Sequence, residues 1–271
     1  NHNDLGNDIL IADDGGFYIV GTADLDWSGV GVRGDIYLIR TNTDGKILWD
    51  NSYGGDGSQE GHSISRVSDG NLLLTGKTTA SADGGADVIF IKIDQDGNEI
   101  WSKTLDGPLD EMASAVEMPD GGFMLWGDVV DPTDFVADPG AAGYGGYEGR
   151  SNVFLARTDV EGNELWSYSF GDLNNLISCA GTPTPDGGFL VLASLLRYPE
   201  PGDDLYLIKV DKDGNQVWVR TWEEGTMSAY DLIPTMDGQY LIAGSYTPAD
   251  EMTQLNIDHL YIKVDQEGNE I

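Results

Sequence analysis

The chain repeats one sequence pattern five times, and this periodicity restricts its fold more than any other feature. Each repeat opens with an aspartate and a glycine at a turn, followed by a short apolar segment. These turn aspartates are Asp14, Asp69, Asp120, Asp186 and Asp237. Four repeats end with a tryptophan, at Trp49, Trp101, Trp166 and Trp218, whereas the fifth stops at Ile271, one residue before the expected tryptophan. A unit of about fifty residues cannot bury a core alone, so the pattern predicts units packed against one another.

The third repeat indicates how a single unit folds. Residues 114–118 and 123–126 are short apolar segments around a Pro-Asp-Gly-Gly turn, and residues 152–158 and 164–170 flank a second turn that contains glycine. Apolar and polar residues alternate along residues 152–158, as they do in a half-buried strand. Four antiparallel strands per unit predict an all-β fold, a β-propeller of five four-stranded blades. The repeats span residues 4–55, 56–107, 108–172, 173–224 and 225–271 of one predicted propeller domain, 1–271, which we expect to be part of a longer chain.

The repeat also resembles that of a known group of proteins. Residues 14–21, 35–49, 87–101 and 204–218 match the pattern DGGF-x-I-x-G … D-x-x-L-I-K-x-D-x-x-G-N-x-x-W of secreted bacterial and archaeal β-propeller repeat proteins. The hairpin and its tryptophan are distantly similar to quinoprotein-type propeller repeats. The resemblance implies a module of a secreted or surface protein with no assigned chemistry. A fold alone does not settle a function.

The charge of the chain limits its partners. It holds 47 acidic against 14 basic side chains, a formal net charge of −33. Nucleic acids and anionic membranes would be repelled, so neither is an expected partner. No apolar run reaches the roughly 18 residues of a membrane-spanning helix, so we expect no membrane insertion. The charge favours a salt-adapted protein in cation-rich surroundings and, with the resemblance, predicts an extracellular or cell-surface location.

The longest departure from the repeat, residues 128–151, is the first candidate site. Insertions on one face of a repeat protein often mark the face that binds. Aromatic rings beside carboxylates suit a sugar, and several carboxylates in one loop suit Ca²⁺, which takes oxygen ligands. The alternative is a solvated acidic loop without a ligand. The candidate ligand-binding residues are Asp128, Asp131, Asp134, Asp138, Tyr144, Tyr147 and Glu148.

The chain that approaches each first strand is the second candidate, because acids recur there in every repeat. Carboxylates brought close together stay ionised only with a cation, and otherwise their pKa values rise. A cation site, with Ca²⁺ as the possible cofactor, is therefore one hypothesis, and solvated loop acids are the alternative. The candidate metal ligands are Asp4, Glu60, Asp110, Glu111, Glu223 and Glu224. The recurring Asp-x-Asp-Gly-Asn hairpins, such as residues 94–98, fit a turn requirement better than a calcium loop.

Catalytic signatures are scarce. The lone Cys179 has no histidine in its repeat, and His2, His62 and His259 lie in different repeats without the spacing of metal ligands. We therefore expect no enzyme, but a binding or structural module in adhesion or surface assembly, whose partner is a surface protein or glycan or another copy of the chain. Two alternatives remain open: a lectin-like glycan-binding module, and a glycosidase whose paired carboxylates come from Asp110, Glu111, Glu223 and Glu224.

Overall fold

The computed structural model describes residues 3–25, 34–80, 86–105, 110–130, 151–171, 176–195, 203–223, 225–248 and 257–271. These residues form nineteen β-strands. In chain order the strands are β1 (Asn3–Ile11), β2 (Phe17–Leu25), β3 (Asp35–Thr41), β4 (Ile47–Tyr53), β5 (Gln59–Arg66), β6 (Leu72–Thr78), β7 (Asp87–Ile93), β8 (Glu99–Leu105), β9 (Asp110–Glu117), β10 (Phe123–Val130), β11 (Ser151–Thr158), β12 (Glu164–Phe170), β13 (Leu176–Pro183), β14 (Phe189–Leu195), β15 (Asp204–Val210), β16 (Gln216–Trp222), β17 (Thr226–Pro234), β18 (Tyr240–Thr247) and β19 (Asp258–Val264).

The strands form five sheets, one for each repeat. The first four sheets have four strands in sequential order, from β1–β4 to β13–β16, and the fifth has the order β17-β18-β19. A bridge between Val264 and Glu270 continues the fifth sheet beyond β19. The predicted all-β fold, a β-propeller of five blades, is confirmed.

Each blade is held at its first turn by an ion pair. The turn aspartate pairs with a lysine or arginine side chain of the third strand, and this strand lies beside the second strand in the sheet. The pairs are Arg40–Asp14 at 2.6 Å, Lys92–Asp69 at 2.7 Å, Arg157–Asp120, Lys209–Asp186 at 2.7 Å and Lys263–Asp237 at 2.6 Å. In Asp186 burial raises the pKa, but hydrogen bonds from Lys209 and Thr184 outweigh it and bring the pKa to about 2. The recurrence of aspartate at these turns is therefore explained by structure.

The second turn of each blade is closed by its own side chains. Asp94 Oδ1 accepts from the backbone N–H groups of Asp96 and Asn98, and Asp94 Oδ2 accepts from Asn98 Nδ2 at 2.8 Å. The same bonds to asparagine recur at Asp159, Asp211 and Asp265. Because the carboxylates are used within the hairpin, these contacts support the turn interpretation of the Asp-Gly-Asn pattern.

The periodic tryptophans pack on the hairpin of the following blade. A Cβ added to Gly97 would lie 2.8 Å from Trp49 Cη2, and one added to Gly268 would lie 2.7 Å from Trp218 Cη2. Trp101 in the same way covers Gly162, and its ring lies 5.9 Å from that of Phe123. The hairpin glycines thus provide the flat surface on which each indole rests.

The contacts divide the chain into two compact units. Unit 1 comprises Asn1–Glu117, Gly121–Leu125 and Thr158–Glu164, and unit 2 comprises Met118–Asp120, Trp126–Arg157 and Leu165–Ile271. The core of unit 1 joins the first two sheets through side chains such as Leu38 and Leu74. The core of unit 2 joins the fourth and fifth sheets through side chains such as Leu207 and Ile242. In the part of the chain that the structure describes, no helix is long and apolar enough to cross a membrane.

Candidate functional site

A β-bulge interrupts the first strand of each sheet for which the register is described. The pairing with the second strand shifts after Gly6, Gly61, Ser178 and Ala229. The bulged residues that follow are Asn7, His62, Cys179 and Tyr230. Bulges re-aim a side chain and occur often beside active sites. All four bulged residues carry polar or reactive side chains, which makes this position a candidate for chemistry.

A second position accompanies each bulge at a constant distance along the chain. Fifteen residues after the bulged residue, the second strand of these four sheets carries Thr22, Lys77, Ser194 and Ser245. In the third repeat the same spacing places Asp128 at this second position, fifteen residues after Ala113. Thr22 Oγ1 accepts from Gly61 N at 3.2 Å, and Ser194 Oγ accepts from Ala229 N at 3.2 Å, so the hydroxyl links one blade to the next. Lys77 and Asp128 are the departures from this hydroxyl.

Asp128 replaces the hydroxyl with a carboxyl in a half-buried position. Its Oδ1 accepts from Ser178 N at 2.5 Å, the same kind of bond that Ser194 makes. Burial raises the pKa of Asp128 to about 6, although the hydrogen bonds from Ser178 act in the opposite direction. A hydroxyl would have accepted the hydrogen bond from the Ser178 N–H without burying an ionisable carboxyl. The carboxyl therefore adds a group that can hold or release a proton near neutral pH.

Cys179 lies beside this carboxyl. Its Sγ is 3.6 Å from Ser194 Oγ and 3.6 Å from the Ile177 carbonyl oxygen, and burial, together with the charge of Asp128, raises the pKa of the thiol. A raised thiol pKa disfavours the reactive thiolate. Cys179 is half-buried at this position.

In the second sheet, which belongs to unit 1, the bulge pair is His62 and Lys77. Lys77 lies opposite Glu60 across the β5–β6 ladder, and it forms no ion pair or hydrogen bond among the described residues. Burial lowers the pKa of His62, with a smaller opposing effect of Glu60, and no described residue bonds its buried Nε2. Asn7 Nδ2 donates to the Gly61 carbonyl oxygen at 2.6 Å beside this bulge.

The predicted site residues are only partly within the described chain. Asp128 is placed in β10, Asp4 is exposed on β1, Glu60 is half-buried on β5, and Glu223 is exposed after β16. Asp110 and Glu111 begin β9. The residues outside the described ranges are Asp131, Asp134, Asp138, Tyr144, Tyr147, Glu148 and Glu224.

The described residues contain no group of three or more His, Cys, Asp or Glu placed to hold a metal ion. Calcium therefore stays a prediction, as does the extracellular location.

No sequence motif points to Lys77 or Tyr230, and His62 and Cys179 carry no catalytic signature in the sequence. The signal that finds them is the constant fifteen-residue spacing between the bulged residue and the following hydroxyl position. A bulge itself depends on the register of the partner strand, so a single repeat does not reveal it.

Unit 2 also contains a cleft of about 340 Å³ between its outer strands. Phe170, Leu176, Tyr206, Ile208 and Val219 line it, and its described lining holds no Asp, Glu, His, Lys or Arg. Its volume is in the range of small-ligand pockets, roughly 300–1,000 Å³. Since its described lining offers no carboxylate, Asp128 stays the candidate for carboxylate chemistry.

Comparison with known proteins identifies the fold. No family model matches the sequence. No curated protein matches it either. Solved structures do match: an ulvan lyase bound to a saccharide has 12% identity and a TM-score of 0.57, over 100% of this chain and 69% of that one. A puromycin hydrolase has 16% identity and a TM-score of 0.54, over 98% of this chain and 38% of that one.

A β-1,3-galactosidase also matches, with 10% identity and a TM-score of 0.49, over 98% of this chain and 92% of that one. At these identities the likeness to the ulvan lyase and the puromycin hydrolase shows the shared fold alone. The chain spans little more than a third of the puromycin hydrolase.

The prediction that this chain is not an enzyme is wrong: solved structures with the same fold include enzymes, among them the polysaccharide lyase and the hydrolase named above. The prediction rested on the lack of a histidine-based or metal-based motif. Carboxylate chemistry needs no such motif, because a buried acid with a raised pKa is sufficient to supply a proton. Asp128 is a group of that kind.

Proposed function

We propose that this propeller acts on glycans as a carboxylate-dependent glycosidase, with Asp128 as the general acid. The observation that carries the proposal is the carboxyl of Asp128 at a position where the repeat uses a hydroxyl, with a pKa raised by burial to about 6. Glycosidases pair one protonated carboxyl with one ionised carboxylate. The ulvan lyase that shares the fold acts on a polysaccharide, which supports a glycan as the substrate class.

In the proposed reaction Asp128 gives its proton to the oxygen of the scissile glycosidic bond as the bond to the anomeric carbon breaks. Water then supplies the hydroxyl group of the new reducing end, either directly or after a covalent intermediate. Within unit 2, which contains Asp128, Glu223 is the described acid that the sequence offers as the second carboxylate. In the net-negative protein a neutral polysaccharide is the favoured substrate, since an acidic one is repelled.

The test replaces Asp128 by serine, the residue that occupies the equivalent position at Ser194. The serine hydroxyl of Asp128→Ser can still accept the hydrogen bond from the Ser178 N–H. It is too weak an acid to protonate the leaving group. We expect a folded variant with at least a hundredfold lower kcat/KM on neutral polysaccharides, a loss typical for removal of a general acid. Release of reducing ends from a panel of such polysaccharides measures it.

Two controls separate chemistry from structure. Thr22→Val removes the equivalent bond to Gly61 in unit 1, and it should lower stability while leaving turnover unchanged. A dinitrophenyl glycoside needs little protonation of its leaving group, so Asp128→Ser should slow its hydrolysis far less than that of the polysaccharide. Full polysaccharide turnover by Asp128→Ser, or no turnover by the natural chain on any member of the panel, would refute the proposal.

A further inference from the structure

The cleft in unit 2 lies between the third and fourth sheets, as does the hydrogen bond that joins Asp128 to β13. Phe170, at the end of β12, forms part of one wall. Leu176 and Leu195 belong to the other wall and lie directly opposite each other in the β13–β14 ladder. Two residues further along β13, Ser178 donates its N–H to Asp128. Because a strand rises about 3.3 Å per residue, the wall at Leu176 lies within about 7 Å of this N–H along the strand.

The equivalent space between the first and second sheets is filled by side chains. Tyr53 and Ile89 occupy there the positions that Phe170 and Tyr206 occupy here. Both are buried and belong to the core of unit 1. Phe170 and Tyr206 are only half-buried. The cleft is therefore a departure from the repeat, within one unit, and not a general property of the packing of two blades.

Two changes on the outer strand explain the opening. In the first sheet the Tyr53 hydroxyl donates to the Gly97 carbonyl oxygen at 2.8 Å, which holds its ring against the next hairpin. Phe170 has no hydroxyl for this bond. Above the equivalent hairpin glycine, Gly214, lies the ring of Tyr168 instead, whose Cε2 would be 2.6 Å from an added Cβ. Phe170 is therefore not anchored to the hairpin, and the space beside it stays open.

The lining favours a neutral ligand that has both apolar and hydrogen-bonding surfaces. Phe170, Ile208 and Val219 are apolar, whereas Tyr206 brings a phenol and Gln216 brings a carboxamide, and both of these groups donate and accept hydrogen bonds. The described lining holds no Asp, Glu, His, Lys or Arg, although the chain has a net charge of −33. It therefore offers an anionic ligand no cation and a cationic ligand no carboxylate. A sugar residue combines an apolar C–H face with neutral hydroxyl groups, and a volume of about 340 Å³ limits the ligand to a small group.

We propose that the cleft binds one neutral sugar residue of the polysaccharide whose glycosidic bond Asp128 protonates. The C–H face of the sugar packs on the Phe170 ring, and its hydroxyl groups exchange hydrogen bonds with Tyr206 and Gln216. The identity of the ligand rests on the proposed function. The cleft adds to that function a binding position on the interface that carries Asp128, and occupancy of this position does not require turnover.

The test measures binding in the Asp128→Ser variant, so that the ligand is not consumed. Saturation-transfer NMR with cellotetraose, xylotetraose, trigalacturonate and indole as separate probes reports contact with each of them. We expect transfer to at least one neutral tetrasaccharide and none to trigalacturonate. Val219→Phe fills the cleft and should abolish this transfer. Gln216→Met removes the carboxamide at similar length and should raise the Kd about fivefold, the effect of one lost hydrogen bond. Because Gln216 is exposed, this second variant tests the cleft even if Val219→Phe does not fold.

Ser102→Phe is the matched control, because Ser102 follows Trp101 on β8 as Val219 follows Trp218 on β16. It should leave the Kd unchanged. The proposal is overturned if neither tetrasaccharide binds, if trigalacturonate binds equally well, if only indole binds, or if Val219→Phe and Gln216→Met leave the Kd unchanged.

Kinetics separate this proposal from the proposed function. Hydrolysis by the natural chain with a KM that Val219→Phe does not change would overturn only the role of the cleft. Tetrasaccharide binding that Val219→Phe abolishes, in a chain without hydrolase activity, would instead refute only the role of Asp128.

Discussion

At the scale of a single residue, the Asp128 carboxyl should make stability fall as the pH rises. Burial raises its pKa from 3.8 to about 6, so the folded state binds the proton more tightly than the unfolded chain. The resulting stabilisation is complete below about pH 4 and is lost as the pH rises through about 6. The difference between the two pKa values corresponds to about 3 kcal/mol.

Urea unfolding of the natural chain and of Asp128→Ser checks this prediction. The variant should gain stability relative to the natural chain by up to about 3 kcal/mol between about pH 4 and pH 7. All other carboxyls titrate alike in both proteins, so the difference isolates Asp128. A difference that stays constant with pH would contradict the raised pKa.

The sequence predicted Asp128 as a ligand-binding residue from the acids and tyrosines that follow it. Its distinctive property in the structure is different: it occupies an interblade hydrogen-bonding position and is half-buried. A pKa depends on burial, which composition does not report. Alignment of the repeats, which places Asp128 with Ser194 and Thr22, would have identified Asp128 as a departure from a hydroxyl. The raised pKa of its carboxyl could not be predicted, because it depends on burial in the folded protein.

At the scale of an element, the first turn of each blade should respond unequally to loss of its two charged partners. Lys209 is buried, with 5% of its side chain exposed, whereas Asp186 is 68% exposed. Asp186→Ala leaves a buried cation without its partner, and we expect a loss of about 3 kcal/mol. Lys209→Met leaves only an exposed carboxylate and should cost about 1 kcal/mol or less.

Guanidinium unfolding of the two single variants measures these losses. The exposed pair of Lys212 and Asp213 supplies the control, since both side chains are at least 65% exposed. Asp213→Ala should change stability by less than about 0.5 kcal/mol. Equal losses for Asp186→Ala and Lys209→Met would show that burial of the cation does not govern this turn.

The hairpin glycines allow the contact with tryptophan to be measured separately from backbone strain. Gly268 has a φ of +80° and Trp218 Cη2 would lie 2.7 Å from an added Cβ, whereas Gly45 has a φ of +76° and no atom within 4 Å. Gly45→Ala should cost about 1–2 kcal/mol through the left-handed backbone alone. Gly268→Ala should cost a further 1–3 kcal/mol, approximately, because the indole must move.

Urea unfolding measures both glycine variants, and Trp218 fluorescence should change only in Gly268→Ala. Equal destabilisation of the two variants would contradict a role of the glycine as a resting surface for the indole.

The strands were largely predictable from the sequence and the bulges were not. The predicted segment 152–158 corresponds to β11 (Ser151–Thr158), but the strand is buried on both faces, so the continuous apolar run of residues 153–156 and not an alternation marks it. Of the predicted segment 114–118, residues 114–117 lie in β9 (Asp110–Glu117), whose first two residues are charged. A bulge adds one residue on one strand only, so its position depends on hydrogen bonds to the partner strand.

At the scale of the whole molecule, the periodic sequence determines the propeller but leaves its chemistry open. A lyase and a hydrolase share the fold with this chain at low identity, so one architecture carries different reactions. A position that differs among repeats, such as Asp128, holds more information about function than those that recur. Recurrent residues serve turns and interblade packing in every blade, so the proposals above depend on departures from the repeat.

The net charge of −33 should also make the stability of the whole chain depend on salt. Repulsion among carboxylates destabilises the compact state, and salt screens it over about 10 Å at 0.1 M. We expect the melting temperature to rise with sodium chloride and to rise equally in magnesium or calcium chloride at matched ionic strength. Differential scanning calorimetry with dialysed protein provides the measurement.

A further rise that only calcium produces would contradict pure screening, because a ligand that binds only the folded state stabilises it beyond the ionic-strength effect. It would support the calcium hypothesis of the sequence. Since no group of three or more metal-ligating side chains occurs within the described ranges, Asp131, Asp134 and Asp138 would then be the residues to replace by asparagine. Loss of the calcium-specific rise in that triple variant, with the sodium response unchanged, would separate a bound ion from the screening that the acidic surface requires.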